Sequence, residues 1–430
     1  MSVNTLIIGG GPAGLTAACF SAGPTLVIDR LHAPARKLLA TGGGRCNLTH
    51  DTHAEGIRDA FGPNARFMLP ALHAFPPAAI RAFFQSLGVE TCVKPDGCVF
   101  PVSQQAVDVA RALTQAAHAG GAEIRCGVCA KRVMIESLGH PANGGPERGV
   151  CGVETSQGIL HARHVILAAG GQSYPTLGSD GSGFEMARAA GLAVAPPVPA
   201  LAGLVTLETW PGSLAGIVLE NGGLRLDAKG APKRLLTGPV LFTHKGLSGP
   251  PALDLSGEIA ARLAAVQADK RPAEPITLRL SCMAERSAAD WRDLFGDWRT
   301  RHGGRALHNL LSGEMPRALA SVLCSLAGAR DVAAARAKKV VLETLATICA
   351  DTPLHITGTE GWDRAMVTRG GVALSELDAA TLACRRIRGL YCAGEVVDLD
   401  GRCGGYNLTW AFASGRLAGL STHHDPAGAG

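Results

Sequence analysis

The stretch Gly9-Gly10-Gly11-Pro12-Ala13-Gly14 decides the fold of this chain. An apolar run at residues 3–8 precedes it, helix-forming residues follow at 12–21, and a second apolar run occupies 25–29. This strand–turn–helix–strand order has the size of one βαβ unit. The second run ends in Asp29, whose carboxylate we expect to bind ribose hydroxyls. A glycine-rich turn in this context predicts a Rossmann-like dinucleotide-binding domain.

Each residue of this turn suits a pyrophosphate. Gly9 permits the tight turn, Gly11 lets the backbone approach the phosphates, and Gly14 lets the helix pack on the sheet. Pro12 and Ala13 begin the helix, whose N-terminal N–H groups and partial positive charge attract phosphate. By itself, the turn is compatible with NAD as well as with FAD.

The composition is that of a globular protein with more than one domain. The chain has 430 residues, of which 47% are hydrophobic and 18% charged, and it contains 55 glycines. This length exceeds the size at which a single core usually keeps growing. The formal net charge of +5 favours an anionic substrate but is weak support for nucleic-acid binding.

Targeting signals are not recognisable in the sequence. The N-terminus lacks the pattern of a signal peptide, and no run of about 18 apolar residues predicts a membrane span. The thirteen cysteines are scattered through apolar segments, which is typical of reduced thiols. We therefore expect a cytoplasmic protein that does not associate with a membrane.

The second motif is Arg36-Lys37-Leu38-Leu39-Ala40-Thr41-Gly42-Gly43-Gly44-Arg45-Cys46-Asn47. Three consecutive glycines between cationic residues make a flexible loop rich in N–H groups, which suits a phosphate or the edge of a flavin ring. A mobile surface loop would have a similar composition. The position directly after the dinucleotide-binding unit favours a functional role.

Two further apolar runs end in small residues. Residues 165–171 end in alanines and glycines, which let the backbone lie close against a cofactor. Residues 391–398 contain Gly394-Glu395, and Gly404-Gly405 then leads into a helix predicted at 407–420. The N-terminus of that helix would stabilise negative charge on a reduced flavin. We find no second dinucleotide fingerprint.

The rest of the chain predicts mixed, then β-rich, then helical structure. Amphipathic helices are expected at 76–88 and 104–119, and a strand meander at 122–167. Residues 200–283 have strand-like runs separated by turns, whereas residues 284–350 have a helical pattern. The expected fold class is α/β.

Together these motifs resemble one family, the bacterial BaiN-like NAD(P)/FAD-dependent oxidoreductases. The matching segments follow the family's order from end to end of the chain: residues 9–14, 37–47, 165–171 with 178–183, 241–250, 370–371 and 394–419. Segments 42–47 and 404–408 are specific to the family, whereas 9–14 is shared by many flavoproteins. Ala169 stands where relatives often have Thr, and Asp29 where many have Glu; both changes are small.

The resemblance implies a Rossmann-like FAD domain of the two-dinucleotide-binding type, interrupted by other domains. The implied parts are a first FAD-binding part (1–198), a β-rich insert domain (199–283), a helical domain (284–359) and a second FAD-binding part (360–430). Residues 241–250 fall in the β-rich insert, so the resemblance implies that a face of this insert covers the flavin. Residues 284–350 match no motif and leave the substrate open.

The motifs and the resemblance assign FAD-binding residues in every segment of the FAD domain. These are Gly9, Gly11, Pro12, Ala13, Gly14, Asp29, Arg36, Lys37, Thr41, Gly42, Gly43, Gly44, Arg45, Cys46, Asn47, Val133, Ala169, Gly170, Gly394, Glu395, Gly404, Gly405, Tyr406, Asn407 and Leu408. NAD(P)H is the expected reductant. No metal site is expected, because no cysteine or histidine group has the spacing of a zinc site.

Reduction of a C=C bond needs a proton as well as a hydride. Cys46, His244 and Cys403 are the candidate proton donors, each placed by its motif near the flavin ring. Arg45 and Arg402 are candidates for holding an anionic substrate. A structural role for His244 is the alternative.

Three functions remain open from the sequence. The first is NAD(P)H-driven reduction of an activated C=C bond in a small molecule. The second narrows the substrate to RNA, because some family members are associated with reduction of a uridine in ribosomal RNA to dihydrouridine. The third is a non-catalytic FAD-binding or redox-sensing protein. The sequence predicts no oligomeric state.

Overall fold

The computed structural model describes residues 2–139, 147–268 and 275–423. The chain divides into two compact units, one made of Met1–Val198 with Met366–Gly430 and the other of Pro199–Ala365. The first unit is therefore discontinuous in sequence, and the second is inserted into it. Both units contain strands and helices, which confirms the α/β class.

The strands and helices follow one another along the chain with these bounds. In chain order, the strands are β1 (Ser2–Ile8), β2 (Thr25–Asp29), β3 (Thr49–His50), β4 (Thr91–Val93), β5 (Cys98–Pro101), β6 (Ala122–Cys126), β7 (Ala130–Ser137), β8 (Arg148–Thr155), β9 (Gly158–Leu167), β10 (Val194–Ala200), β11 (Leu204–Thr206), β12 (Val218–Asp227), β13 (Leu236–Thr243), β14 (Gly246–Ser248), β15 (Ile276–Ser281), β16 (Thr352–Thr359), β17 (Val367–Val372) and β18 (Leu390–Cys392). The helices are α1 (Pro12–Phe20), α2 (Arg36–Ala40), α3 (Ala54–Arg58), α4 (Leu69–Ala74), α5 (Pro77–Ser86), α6 (Ala106–Ala119), α7 (Ser182–Ala189), α8 (Pro250–Ala268), α9 (Ala288–Arg301), α10 (Leu307–Leu311), α11 (Arg317–Leu326), α12 (Lys339–Asp351) and α13 (Tyr406–Ser421).

A seven-stranded sheet forms the centre of the first unit. Its order is β6-β2-β1-β9-β8-β7, and β18 also pairs with β9. The pairs β2–β6, β1–β2, β1–β9 and β9–β18 are parallel, whereas β7, β8 and β9 pair antiparallel. Leu6 and Ile7 of β1 are fully buried. A continuous apolar strand of this kind is typical of a parallel sheet covered on both faces.

The register of the parallel strands brings three chain segments to one edge. Ile8 at the end of β1 pairs with Leu167 at the end of β9, and Leu167 pairs with Cys392 at the end of β18. The segments that follow these three residues therefore leave the sheet side by side. Ligands of open α/β sheets bind at the carboxyl ends of the strands.

Helix α13 joins the end of the chain to its beginning. A β-carbon added at Gly415 would lie 2.3 Å from the carbonyl oxygen of Ala13, and one at Gly419 would lie 2.5 Å from that of Ala17. Both glycines lie on the face of α13 that meets α1, since residues four apart share a face of a helix. Their missing side chains allow the two backbones to pack closely.

The second unit contains a closed barrel of six strands, in the order β11-β14-β13-β12-β15-β16. Its core joins barrel residues such as Leu278 and Leu280 to helix residues such as Trp291, Phe295 and Leu319 in one hydrophobic cluster. The inserted part is therefore a single compact unit. The sequence predicts a β-rich domain and a separate helical domain here, and this division differs from the structure.

Two elements explain the difference. Helix α8 lies in the stretch 200–283, for which the sequence predicts strands. Strand β16 follows the helical pattern predicted at 284–350 and lies within the implied helical domain 284–359. The buried residues of α8 include Pro251, Ala252 and Leu253 in succession, so the helix has no clear amphipathic pattern. Strand β16 completes the barrel by pairing with β11 and β15.

The described part of the chain contains no single helix that is long and apolar enough to cross a membrane. One pair of helical segments, Pro63–Ala74 and Pro77–Ser86, passes the same test of length and composition together, with a bend of 41° between them.

Candidate functional site

The glycine turn after β1 is tightly packed on one side and open on the other. Gly9 has a φ of +107°, and a β-carbon there would lie 2.4 Å from the carbonyl oxygen of Ala168. A β-carbon at Gly14 would lie 1.9 Å from the carbonyl oxygen of Gly9. In contrast, a β-carbon at Gly11 would meet no atom within 4 Å. The backbone before α1 is therefore accessible where a phosphate would approach.

Asp29 holds the glycine turn in place. Its Oδ2 accepts a hydrogen bond from the Gly10 N–H at 2.7 Å, and its Oδ1 accepts one from the Leu31 N–H at 2.8 Å. Burial raises the pKa of this carboxyl group, and the two N–H donors partly offset that effect. The role of Asp29 toward a ribose stays a prediction.

The second motif forms a left-handed loop between α2 and β3. Gly42, Gly43 and Gly44 have φ angles of +57°, +66° and +85°. Three successive residues in this region are readily accommodated only as glycine. Arg45 follows the loop and packs over the ring of Phe100, with its guanidinium carbon 4.9 Å from the ring centre.

Asn47 carries an unpaired acceptor at the end of this loop. Its Oδ1 is buried and has no hydrogen-bond partner among the described residues. A β-carbon at Gly405 would lie 2.8 Å from this oxygen, which places the loop against the start of α13. A buried acceptor without a partner costs free energy unless a ligand supplies a donor.

The loop before α13 is closed by Asn407. Its Oδ1 accepts a hydrogen bond from the Gly401 N–H, and its Nδ2 donates to the Gly401 carbonyl oxygen, both at 2.8 Å. Arg402 Nη2 donates to the carbonyl oxygen of Asp59 at 2.7 Å, whereas Cys403 is exposed. Tyr406 stacks on the imidazole of His50, with ring centres 4.8 Å apart.

An ion pair joins the two parts of the discontinuous unit. Lys37 Nζ lies 2.7 Å from Glu395 Oε2 and 2.5 Å from Ser173 Oγ. Glu395 Oε1 accepts hydrogen bonds from Ser173 Oγ at 2.9 Å and from the Thr368 N–H at 2.8 Å. The hydroxyl oxygen of Thr368 in turn accepts the Gln172 N–H at 2.7 Å. Four segments that are distant in sequence therefore meet at Glu395.

Ser173, Thr368 and His50 are site residues that the sequence does not predict. Ser173 and Thr368 are polar yet almost wholly buried, but burial is not visible in a single sequence. Ser173 lies just after the alanine and glycine residues that follow β9. This position is the one feature of the sequence that could have indicated Ser173 as a site residue. Nothing in the sequence distinguishes His50.

The other predicted residues occupy several environments. Arg36 is exposed, and Thr41 Oγ1 donates to the Leu38 carbonyl oxygen. Val133 is buried in β7 and pairs with Val153 of β8. The half-buried residues Ala169, Gly170 and Leu408 lie after β9 and in α13, and Gly394 follows β18 at the same edge of the sheet.

The three candidate proton donors and Arg402 are not all in one unit. Cys46 is fully buried, and burial raises the pKa of its thiol to about 12. An enclosed thiol cannot contact a substrate without local opening, so the structure gives no support to Cys46 as a proton donor. Arg402 and Cys403 lie in the first unit, whereas His244 is exposed in the turn between β13 and β14 of the second.

The described residues fit FAD at three points. The open backbone at Gly11 suits a pyrophosphate, and the unpaired Asn47 Oδ1 suits the N–H donor of a flavin ring. The N-terminus of α13 carries the partial positive charge of a helix, and no acidic residue in its first turn offsets that charge. No group of three His, Cys, Asp or Glu residues in the described ranges is arranged to bind a metal ion.

Known proteins resemble this chain over nearly its whole length. The family model described as the HI0933-like protein Rossmann domain matches residues 3–421. A 3-dehydro-bile acid delta(4,6)-reductase from Clostridium scindens is 32% identical over 432 aligned positions, covering 98% of this chain and 99% of the relative. A ribosomal RNA dihydrouridine synthase from Escherichia coli is 30% identical over 424 positions, covering 96% of each chain.

A solved structure supports the fold. The FrdA chain of an Escherichia coli quinol fumarate reductase variant aligns with a TM-score of 0.50 at 16% identity, covering 98% of this chain and 70% of that chain. At this identity the likeness concerns the fold alone. The family match over nearly the whole length, together with the relative at 32% identity, shows that the chain belongs to the HI0933-like Rossmann-domain family, the flavoprotein oxidoreductases that its motifs resemble.

Proposed function

We propose that this protein is an FAD-dependent reductase that saturates an activated C=C bond with electrons from NAD(P)H. The observation that carries the proposal is that one unit contains the open glycine turn, the 42–44 loop and the unpaired Asn47 Oδ1 beside Gly405 at the start of α13. These are the groups that a flavin cofactor needs at its pyrophosphate and at its ring.

The names of the two relatives support the type of reaction. One is a delta(4,6)-reductase of 3-dehydro-bile acids and the other is a dihydrouridine synthase of ribosomal RNA. Both names describe saturation of a C=C bond, although the substrates differ greatly. We therefore assign the reaction class and leave the choice between a small molecule and RNA to experiment.

The residues of this chain would bind and orient the cofactor. FAD, when bound, would pass two electrons from the nicotinamide donor to the substrate. The backbone at Gly11 and the N-terminus of α1 would hold its pyrophosphate. Asn47 and the N-terminus of α13 would hold the ring and stabilise negative charge on it. The Lys37–Glu395 ion pair is a positioning contact, since it joins α2 to the segment after β18.

Cys403 is the proton donor best supported among the three candidates. It is exposed at the loop that Asn407 closes, next to the start of α13. A donor must reach the substrate carbon that does not receive the hydride. Arg402 lies beside it and would attract an anionic substrate. His244 remains a candidate in the second unit.

An absorbance spectrum and anaerobic titrations test the proposal. The purified protein is expected to show flavin absorbance that NADH or NADPH bleaches. Its reoxidation is expected to be faster with a conjugated 3-oxo steroid or with uridine-containing RNA than in buffer. A protein that binds no FAD would refute the whole assignment. A flavin that neither nucleotide reduces would instead favour the non-catalytic or redox-sensing alternative.

The second candidate is reduction of uridine in ribosomal RNA. Two relatives carry that name, the one from Escherichia coli and one from Haemophilus influenzae that is 28% identical over 97% of this chain. Detection of dihydrouridine in RNA incubated with enzyme and NAD(P)H would favour this candidate. Reduction of the steroid alone would favour a small-molecule substrate.

A further inference from the structure

Two basic segments of the second unit lie side by side. The Ala334 N–H donates to the Arg305 carbonyl oxygen and the Ala335 N–H to that of Gly303, both at 2.9 Å. The Leu307 N–H donates to the Val332 carbonyl oxygen, also at 2.9 Å. Residues 299–306, which end α9, are therefore fixed against residues 330–339, which lead into α12.

The exposed side chains of these segments are predominantly cationic. Six of them define what we call the basic surface: Arg299, Arg305, Arg330, Arg336, Lys338 and Lys339, all of them exposed. Within the described ranges, none of the six has an acidic partner in an ion pair. A seventh cation, Arg301, is paired with Asp297 at 2.7 Å.

The basic surface carries a local excess of positive charge. The two segments contain one acidic residue, Asp331, whose carboxylate lies 3.6 Å from His308 Nδ1. Six unpaired cations against one carboxylate leave these segments with a clear excess of positive charge. Charge concentrated in this way creates a local positive potential that attracts polyanions.

The position of the lysines is unfavourable for the helix that they begin. Lys338 is the N-cap of α12 and Lys339 its first residue, and the first turn has no acidic residue. The N-terminus of a helix carries partial positive charge, so cations there repel it and an anion is favoured. The two lysines therefore do not stabilise α12. Together with the helix N-terminus, however, they form an arrangement that attracts a phosphate group.

We propose that the basic surface binds the phosphate backbone of folded, double-stranded RNA. This inference rests on the proposed function and deepens it, because it names RNA as the substrate class. Arginines predominate on the surface, and their planar guanidinium groups form two parallel hydrogen bonds with a phosphate. The two segments contain no Phe, Tyr or Trp, and His302 is their single aromatic side chain. Single-stranded RNA is usually held by aromatic stacking, whereas duplex RNA is recognised by shape and backbone.

The surface is less suited to a membrane. Peripheral helices that bind anionic lipid also insert several large apolar side chains. No large hydrophobic side chain of segments 299–306 and 330–339 is exposed; Val340, directly after Lys339, is the exposed apolar residue beside them.

Charge reversal with a matched control tests the proposal. The test variant is Arg336→Glu with Lys338→Glu and Lys339→Glu. The control is Lys229→Glu with Lys233→Glu and Arg234→Glu, which changes the charge of the same unit equally at exposed residues between β12 and β13. Binding of a short RNA duplex and of a single strand of equal length is measured by gel shift and filter retention over a range of salt concentrations.

The unaltered protein is expected to bind the duplex more tightly than the single strand, with steep salt dependence. The test variant is expected to bind the duplex at least about tenfold more weakly, and its salt slope to fall by about one for each phosphate that it no longer neutralises. The control is expected to keep most of the affinity. Equal weakening in both variants, or unchanged binding by the test variant, would overturn the assignment of this surface.

Further measurements separate this inference from the proposed function and from misfolding. Flavin content should be the same in all three proteins, and neither variant should unfold at a lower temperature than the unaltered protein, since the altered side chains are exposed and glutamates at the start of α12 favour that helix. If polyglutamate displaced the duplex as readily as unlabelled duplex does, an acidic protein would be the better partner and the RNA assignment would be wrong. RNA binding without reduction of the flavin by NAD(P)H would refute the proposed function while leaving the basic surface intact.

Discussion

Two cysteines of the candidate site, Cys46 and Cys403, differ in their exposure to solvent. Cys46 and Cys403 belong to motifs of the same site, and the sequence assigns both the same chemistry. The structure encloses Cys46 completely and exposes Cys403. Since neighbouring side chains cause this difference, a pattern of residue types does not contain it.

The reactivity of the two thiols should therefore differ. A thiol whose pKa is raised to about 12 is almost entirely protonated at pH 8, and only the thiolate is alkylated. We expect iodoacetamide at pH 8 to modify Cys403 in the folded protein and to leave Cys46 unmodified. Mass spectrometry of peptides before and after denaturation measures both. Rapid labelling of Cys46 in the folded protein would contradict the buried position.

The Lys37–Glu395 pair should contribute to stability and to cofactor binding. Both side chains are about four-fifths buried, at 20% and 19% exposure. Lys37→Met would leave the Glu395 carboxylate without its cation, so we expect the free energy of unfolding to fall by about 2–3 kcal/mol. Chemical denaturation and FAD titration measure the two effects.

A double-mutant cycle distinguishes this pair from simple loss of packing. Glu395→Gln keeps the size of the side chain and removes its charge. If the ion pair matters, the double variant should be less destabilised than the sum of the two single variants. Additive effects would indicate that the two residues act independently.

At the scale of elements, local signals predicted the first unit well. Strand β1, the turn and α1 follow directly from the apolar run, the glycines and Pro12, because each signal lies within a few residues of the structure that it determines. Helices α5 and α6 begin within about two residues of their predicted starts. Helix α8 and strand β16 were missed, because burial on all sides in α8 and pairing with distant strands in β16 leave no local periodicity.

The packing of α13 on α1 gives a prediction of its own. Gly415→Ala would place a β-carbon 2.3 Å from a backbone oxygen of α1, which neither helix can relieve without moving. We expect the unfolding free energy to fall by at least about 2 kcal/mol, the size of an overpacked core substitution. Thermal and chemical unfolding would measure it.

The matched control is Gly296→Ala in α9. This glycine is exposed within a helix, and an added β-carbon meets nothing within 4 Å. Alanine there should raise the unfolding free energy by about 0.5–1 kcal/mol, because it favours helix more than glycine does. If both substitutions had the same effect, close contact of α1 and α13 would not be the cause.

In the whole molecule, one compact unit is built from two separate stretches of the chain, and the other unit is the stretch between them. The inserted unit Pro199–Ala365 has its own hydrophobic cluster, which joins the barrel to the helices. The first unit needs both of its parts, since β18 pairs with β9 and α13 packs on α1. Removal of either part would expose apolar surface of the other.

Expression of separate fragments tests this division. Residues 199–365 alone are expected to fold, with a cooperative thermal transition and dispersed amide resonances. Residues 1–198 alone are expected to be insoluble or unfolded, and co-expression with residues 366–430 is expected to restore a soluble complex. A folded 1–198 fragment would contradict the dependence of the first unit on β18 and α13.

The sequence by itself determined the family and the strand–turn–helix unit around the glycine turn, whereas the FAD-binding residues that it assigns stay predictions. These predictions rest on glycine-rich turns and short apolar runs. Each of them depends on residues that are neighbours in the chain, so it is visible as a sequence pattern. Only the tertiary structure decided that the insert is one unit, that Cys46 is enclosed, and that Ser173 and Thr368 meet Lys37 at Glu395. It also decided that the basic segment at the end of α9 lies beside the basic segment that leads into α12. These features depend on contacts between residues far apart in the chain, and such contacts form only when the chain folds.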